Sequence, residues 1–369
     1  MADLAEKLIY ARKRMNLKGH QVESETGIGP SSLSDFEKGK RMPSLSQLAS
    51  LARVYNRSTT FFMDDSPIPQ ETVLWRKRPT DNAEDIETRF LRLCEQYSRL
   101  EVWCDDRVPD RLPKPARKID SYDGAELLAD QVRQDLHLGK QPGGELLRVL
   151  EEHYGVKVFH LPVEPTGTAA SAKNERFGSA ILLNAKNKSW RRNFDLAHEL
   201  FHLLTWEMFR SGEEGTSLDA PDMEEKWATC FARSLLMPSN SVKEAVYQRN
   251  PSGQLTFADL YDIAREFDVS IEALLWQLHF VFNKGSERKQ ETEALITKAR
   301  ERYEVYETRE SPKIPDRPVR FKALAIEALH KGSLSIGRFA EYMGISRAKA
   351  LDYVKQETED IEQIQVTAA

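Results

Sequence analysis

Along the first 65 residues the apolar positions recur at helical spacing, first as Leu4, Leu8 and Ala11 and later as Leu45, Leu48, Leu51 and Ala52. A three- or four-residue recurrence turns one face of a helix toward a core. Short Gly, Ser and Pro signals separate these segments, and Ser44, after Pro43, is placed to cap the helix SLSQLASLARVY. A charged connecting stretch, MDDSPIPQET, closes this part of the chain. Beyond it TVLW predicts a short strand and AEDIETRFLRLCEQYSRLEVW a long amphipathic helix, and the prolines and charges of DDRVPDRLPKPARK predict a loop.

Helical patterning resumes in GAELLADQVRQDLHL and GGELLRVLEEHYG. VKVFHLPV and FGSAILLN, apolar or β-branched and bounded by breakers, are the best strands. RRNFDLAHELFHLL predicts a helix, SGEEGTSLDAPD a polar loop, and MEEKWATCFARSLLM a second strong helix that stops at Pro238. LTFADLYDIAREF and SIEALLWQLHFVF form a helical pair, and KGSERKQETEALITKARERYEVYETRE a charged helical connector. The proline-rich SPKIPDRP precedes a small helical tail to residue 355. The expected class is mainly α with a small β-sheet (α+β). The expected regions are 1–65, an all-α bundle; 66–120, a linker with a strand and a long helix; 121–283, the central domain; and 284–369, a connector and helical C-terminal region.

Composition narrows the class. The 369 residues are 40% apolar and 30% charged, as in a soluble globular protein with room for two or three domains. No window reaches a transmembrane length, and the N-terminus lacks the uninterrupted apolar core of a signal peptide. Cys94, Cys104 and Cys230 are too few for a disulfide framework and lack zinc-ribbon spacing. The expectation is a cytoplasmic protein with no membrane partner. A net charge of −5 does not suggest nucleic acid, but the first 57 residues differ. There Arg12, Lys13, Arg14, Lys18, Lys38, Lys40, Arg41, Arg53 and Arg57 outnumber the acids, which favours a local anionic partner.

Within that basic region TGIGPSSLSDFEKGKRMPSL has the rhythm of a helix-turn-helix. Gly27 allows the tight turn, Gly29 or Pro30 starts the second helix, and Leu33 and Phe36 face inward. Ser31, Ser32 and Asp35 are then exposed toward base edges or nearby phosphates, with Lys38, Lys40 and Arg41 placed for phosphate contact. Residues 4–64 resemble the XRE (Cro/CI-type) family, whose S-x-x-E-x-G-x-x-x-P run is met by Ser34, Glu37, Gly39 and Pro43. The resemblance implies a double-stranded DNA operator and, because such operators are commonly two-fold, a homodimer. Two positions depart from the family: Gly19 stands where Gln is usual, removing a contact, and Glu23 where Ala is usual, in the helix–helix seam.

The central domain carries H-E-x-x-H in DLAHELFHLL. Positions i and i+4 share one helical face, so His198 and His202 can grip one metal ion, and Glu199 lies close enough to take a proton from a metal-bound water. A third ligand is available on MEEKWATCFARSLLMP, whose stripe of Ala228, Phe231, Ala232, Leu235 and Leu236 can pack on the first helix. Glu225 lies three residues before Ala228 and Glu224 four, so spacing leans toward Glu225 without excluding Glu224.

Taken together, RRNFDLAHELFHLL and EKWATCFARSLLMP resemble the ImmA/IrrE family of metallopeptidases through Arg191, Phe194, Ala197, His198, Glu199 and His202, then Glu225, Ala228, Phe231, Ala232 and LLMP. The similarity runs from about 121 to 282. It implies a zincin-like fold in which His198, His202 and Glu225 bind Zn2+ and Glu199 polarises the attacking water. It also implies a protein substrate such as a repressor or antitoxin. Asp195, Phe201 and Thr229 depart from the family's Thr, Gly and Asn, and the bulk of Phe201 stands to crowd the second helix or narrow the substrate groove. His153, Tyr154, His160 and Tyr261 are oxyanion donors by residue type only, and Arg191 and Arg192 sit where they would reach substrate or solvent.

Near the C-terminus AEYMGIS repeats a helix-turn-helix beat, with Ala340 and Gly344 at turn-packing positions and Arg347 and Lys349 nearby. With few other basic residues it fits docking or dimerisation better than a second DNA contact. The expected function is a DNA-binding transcriptional regulator carrying a zinc-dependent, gluzincin-like metalloendopeptidase. It would cleave a regulatory partner, or its own chain near residues 64–72. The alternative is a non-catalytic transcription factor whose zinc-binding fold serves as a sensor or dimerisation domain.

Overall fold

The computed structural model describes residues 3–15, 17–55, 57, 59–63, 73–210, 222–252, 254–282, 288–307, 309, 314–315 and 317–363. The connecting stretch at 64–72, which holds the expected self-cleavage region, and the polar loop at 211–221 lie outside the described residues. The chain forms two compact units, one from 1–71, 84–107 and 321–369, the other from 72–83 and 108–320.

The first unit begins with α1 (Leu4–Arg14), α2 (Gly19–Thr26), α3 (Pro30–Glu37), α4 (Leu45–Val54) and the short α5 (Thr59–Met63). Leu8, Ala11, Val22, Leu33, Phe36, Leu48 and Leu51 form its core, as their spacing predicts. Gly27 ends α2 in the left-handed conformation (φ 71°), which only glycine adopts without strain, and Pro30 opens α3 with its φ already set. Ser44 accepts from the Gln47 amide while the Gln47 side chain reaches back, a capping box on α4. Leu45, at the first helical position, is exposed and does not join the apolar stripe. Glu23 is also exposed, so it does not load the helix–helix seam.

Segment 66–120, expected as a linker, divides between the units because its two elements bury different faces. Its long helix α6 (Ala83–Cys104) belongs to the first unit, where Phe90, Leu91, Cys94, Tyr97 and Leu100 are buried. The Arg57 guanidinium donates to Glu95 at 2.9 Å, and Arg99 donates to the Val54 carbonyl at 2.6 Å. Its short strand β1 (Val73–Trp75) belongs instead to the sheet of the second unit.

That second unit continues with α7 (Tyr122–Asp135), α8 (Leu146–His153), β2 (Lys157–Leu161), β3 (Ala169–Asn174), β4 (Gly178–Asn184), α9 (Ser189–Leu204), α10 (Trp206–Arg210) and α11 (Asp222–Leu236). Then follow α12 (Ser239–Arg249), α13 (Phe257–Glu266), α14 (Ile271–Phe282), α15 (Lys289–Glu301) and α16 (Tyr303–Tyr306). The sheet runs β1-β3-β4-β2; β1, β3 and β4 are antiparallel and β2 lies parallel to β4. The apolar pattern marks β2 and β4 but not β3, whose AASAKN is built from small residues of low strand preference. Pairing on both edges makes it a strand, and its small side chains let α9 pack against it. Helix α9 packs in turn on α11, where Ala228 and Ala232 are fully buried.

From Phe321 the chain returns to the first unit with α17 (Val319–His330), α18 (Ile336–Met343) and α19 (Arg347–Gln363). Ala340 is buried and Gly344 ends α18 in the left-handed conformation (φ 68°), as the helix-turn-helix beat predicts. No helix of the described residues is long and apolar enough to cross a membrane.

Candidate functional site

Helix α9 is strongly amphipathic over its first turns, but its second half is buried on all sides. His198, Glu199 and His202 have no exposed surface, although polar side chains normally stay in water. Both oxygens of one carboxylate meet the two histidines. Glu225 on α11 places one carboxylate oxygen 3.0 Å from His198 Nε2 and the other 3.2 Å from His202 Nε2, and the two Nε2 atoms lie 3.4 Å apart. A tetrahedral cation with bonds of about 2.0–2.1 Å has donor–donor edges of about 3.3 Å, so this triangle fits one metal ion.

Spacing left Glu224 and Glu225 open as the third ligand, and the structure separates them. Glu224 accepts a hydrogen bond from His202 Nδ1 at 2.7 Å and is itself held by Arg210 at 2.8 and 3.1 Å. One imidazole is thus gripped from both sides. With Nδ1 donating to Glu224, Nε2 is turned toward Glu225 and the metal position, the orientation that a ligating histidine needs.

The charges follow from burial. Desolvation, helped by the Arg76 charge, pushes His198 down to about 3, so its imidazole is neutral. Burial also disfavours charge on His202, but hydrogen bonds to Glu224 and Glu225 outweigh it and raise the group to about 9. For Glu225 burial acts upward, and the two histidines more than reverse it, holding the carboxyl below its ordinary range. Glu199 is pushed up to about 8, mainly by desolvation, and the Ser171 hydroxyl on β3 faces its carboxyl. Burying a polar carboxyl costs folding free energy that an apolar side chain would not, so something other than stability accounts for it.

Ahead of Glu199 by one helical turn lies Asp195, also fully buried. It receives Arg76 Nη1 at 2.6 Å and Asn187 Nδ2 at 2.9 Å, with Arg191 Nε at 3.0 Å. The departure from Thr at this position has its reason here: the carboxylate answers an arginine that follows β1. Phe201 packs on Phe231 with ring centroids 5.6 Å apart and lines neither cavity beside the metal group. Its bulk is fully buried in the core and does not line the groove. Thr229 does line the groove. With Glu225, Arg233, Trp276 and Phe280 it borders a cavity of about 1020 Å³, and an adjoining cavity of about 620 Å³ extends past Arg76, Arg191 and Phe194.

None of the four oxyanion candidates borders these cavities. His153 is exposed, Tyr154 donates to the Asp135 carbonyl and Tyr261 to the Ala299 carbonyl. His160 sits on β2 and is pushed down to about 4 by burial and by Arg192. Arg192 donates to the Asn187 carbonyl at the start of α9, whereas Arg191 does reach the second cavity. The sequence reading missed Arg76, Arg210, Ser171 and the role of Glu224, since no local pattern links them to α9.

In the first unit, α3 turns Leu33 and Phe36 inward. Ser31 is exposed, and Ser32 and Asp35 are half-buried. Lys38, Lys40 and Arg41 follow in an exposed turn that folds back on α3, with the Lys40 and Arg41 amides donating to the Asp35 carbonyl at 2.9 and 3.3 Å. Gly39 permits that reversal at φ 66°. Of the six candidate DNA contacts, Ser31, Lys38, Lys40 and Arg41 are exposed and Ser32 and Asp35 are half-buried.

Comparison with known families gives two matches. Residues 151–279 match the IrrE N-terminal-like domain of the M78 peptidases, and residues 8–62 match a helix-turn-helix domain. No curated protein matches the chain. The chain thus carries an XRE-type helix-turn-helix domain and an ImmA/IrrE peptidase-family domain.

Proposed function

We propose that this protein is a cytoplasmic DNA-binding regulator whose second unit is a zinc metalloendopeptidase, acting on a regulatory protein such as a repressor or antitoxin or on its own chain. The observation that carries this reading is the convergence of His198, His202 and Glu225 beside the buried carboxyl of Glu199. Two imidazoles and one carboxylate are a donor set suited to Zn2+. When bound, zinc supplies Lewis acidity that lets water lose a proton near neutral pH.

The protein's own groups do the remainder. Glu199, as its carboxylate, takes the proton from the attacking water and passes it to the leaving amine. Glu224, braced by Arg210, keeps His202 in one tautomer and one orientation. The cavities beside Glu225 and Thr229 receive the polypeptide. On the first unit, Ser31, Ser32 and Asp35 face base edges of the operator and Lys38, Lys40 and Arg41 its phosphates, with two copies of the chain on a two-fold site.

Glu199→Gln in the full-length protein tests the enzyme. Zinc content by elemental analysis is expected to stay at the wild-type level, while cleavage of a co-expressed partner falls roughly 10²- to 10⁴-fold. Unchanged cleavage would remove the peptidase reading and leave the metal a sensory or structural role.

A further inference from the structure

Strand β1 is the member of the sheet that comes from farthest along the chain. The other three strands come from residues 157–184, whereas β1 arrives from residues 73–75 and pairs only with β3. Take β1 away and β3 becomes the edge. That edge lies against the metal helix, because α9 packs on β3 and the Ser171 hydroxyl of β3 faces Glu199. A free sheet edge offers a row of amides and carbonyls to any extended peptide, so β3 without β1 is a docking strand beside the metal group.

The register shows what the present occupant offers. Leu74 lies opposite Ser171, and directly opposed side chains in an antiparallel pair share a face, so Leu74 stands on the Glu199 side. Two residues on, Arg76 returns to that face. Its amide donates to the Ala169 carbonyl at 3.1 Å and its guanidinium to Asp195 at 2.6 Å, one helical turn before Glu199. A strand needed only to complete a sheet has no use for an arginine on a buried aspartate, since desolvating both charges offsets most of their attraction. Asp195 also keeps Asn187 and Arg191 when Arg76 leaves, so departure strands no bare carboxylate. Arg76 borders the cavity of about 620 Å³, which gives it a way out.

We infer that Val73–Arg76 is a built-in pseudosubstrate: the chain's own extended segment occupies the peptide-docking edge beside the metal, and accepted substrates share its pattern of an aliphatic residue followed two positions later by an arginine read by Asp195. The inference rests on the peptidase reading for the word substrate, but the docking itself needs no turnover. Being tethered, the segment competes at an effective concentration of roughly millimolar, so a substrate gains access only when the segment is loosened.

The test uses full-length Arg76→Ala, checked for folding by circular dichroism, and a fluorescein-labelled peptide of residues 72–78, TVLWRKR. By fluorescence anisotropy the peptide is expected to bind the variant at least tenfold more tightly than wild type, and to lose that gain when its own arginine matching Arg76 is alanine. No binding by the folded variant, or equal binding to both proteins, overturns the inference. Because no cleavage is measured, these outcomes are separate from failure of the peptidase reading. Should the variant not fold, hydrogen exchange on wild type decides instead. The amides of Val73–Arg76 are expected to exchange at least 100-fold faster than those pairing β3 with β4, and equal protection makes β1 a permanent strand.

Discussion

Helices α3 and α9 each carry their unit's candidate chemistry, yet they hold it in opposite ways. Helix α3 buries Leu33 and Phe36 and leaves Ser31 and the basic turn at Lys38–Arg41 in solvent. Helix α9 buries its apolar residues together with His198, Glu199 and His202. Exposed polar groups cost the fold almost nothing, so α3 would be as stable with other residues outside. Buried polar groups must be paired or used. The metal group therefore declares itself in the energetics of the fold, while the DNA face declares itself only through its motif and its charge.

That contrast makes Glu224 the most consequential residue outside the ligand set. Its removal leaves His202 Nδ1 without an acceptor and Arg210 without its partner. Glu224→Ala is expected to weaken zinc affinity about 10- to 100-fold, measured by competition with a chelator of known strength. A wild-type affinity would mean that the second contact on His202 is incidental.

Glu151 challenges the contrast from within the same unit. It too is buried, with one oxygen unpartnered, and burial pushes it up to about 8. Yet it lies on α8 and borders neither cavity beside the metal group, so burial alone does not mark a site. Its folded pKa lies above the ordinary value of 4.5, so the stability it contributes is complete below about pH 4.5 and lost as pH rises through 8. Glu151→Gln is expected to be more stable than wild type at pH 9, by up to roughly 5 kcal/mol, and indistinguishable at pH 4. Thermal melts at the two pH values check this; a loss of stability at pH 9 would point to a use for the carboxylate.

The exposed side of the comparison gives the smallest effect. Lys40→Ala is expected to leave the melting temperature within error and to reduce the slope of log affinity against log salt on operator DNA by about one. A changed melting temperature with an unchanged slope would mean that Lys40 serves the fold.

Much of this was legible from local pattern. The helix-turn-helix rhythm, the H-E-x-x-H face and the second helix with its acids all rest on spacings of three to five residues, and helical geometry turns such spacings into shared faces. Strand β3 was not legible because AASAKN has little strand character of its own and acquires it from two neighbours. The oxyanion candidates failed for the opposite reason: residue type was their whole support, and Tyr154 and Tyr261 spend their hydroxyls on backbone carbonyls. Phe201 looked obstructive in one dimension and is core packing in three, because its neighbour across the helix pair is Phe231.

By itself, then, the sequence determined two helical scaffolds and the residues each presents: a small basic face on α3, and two histidines and a glutamate on one turn of α9. Spacing alone left Glu224 and Glu225 open and the family resemblance named Glu225; only the tertiary structure set Glu225 between the two Nε2 atoms and Glu224 on His202 Nδ1, because that depends on a second helix at a definite distance. It alone also brought Arg76 to Asp195, 119 residues along the chain, and β1 to the edge of β3. Periodicity is a property of one segment and survives in the sequence. A pairing between segments depends on how the core closes around both, and no short run of residues encodes it.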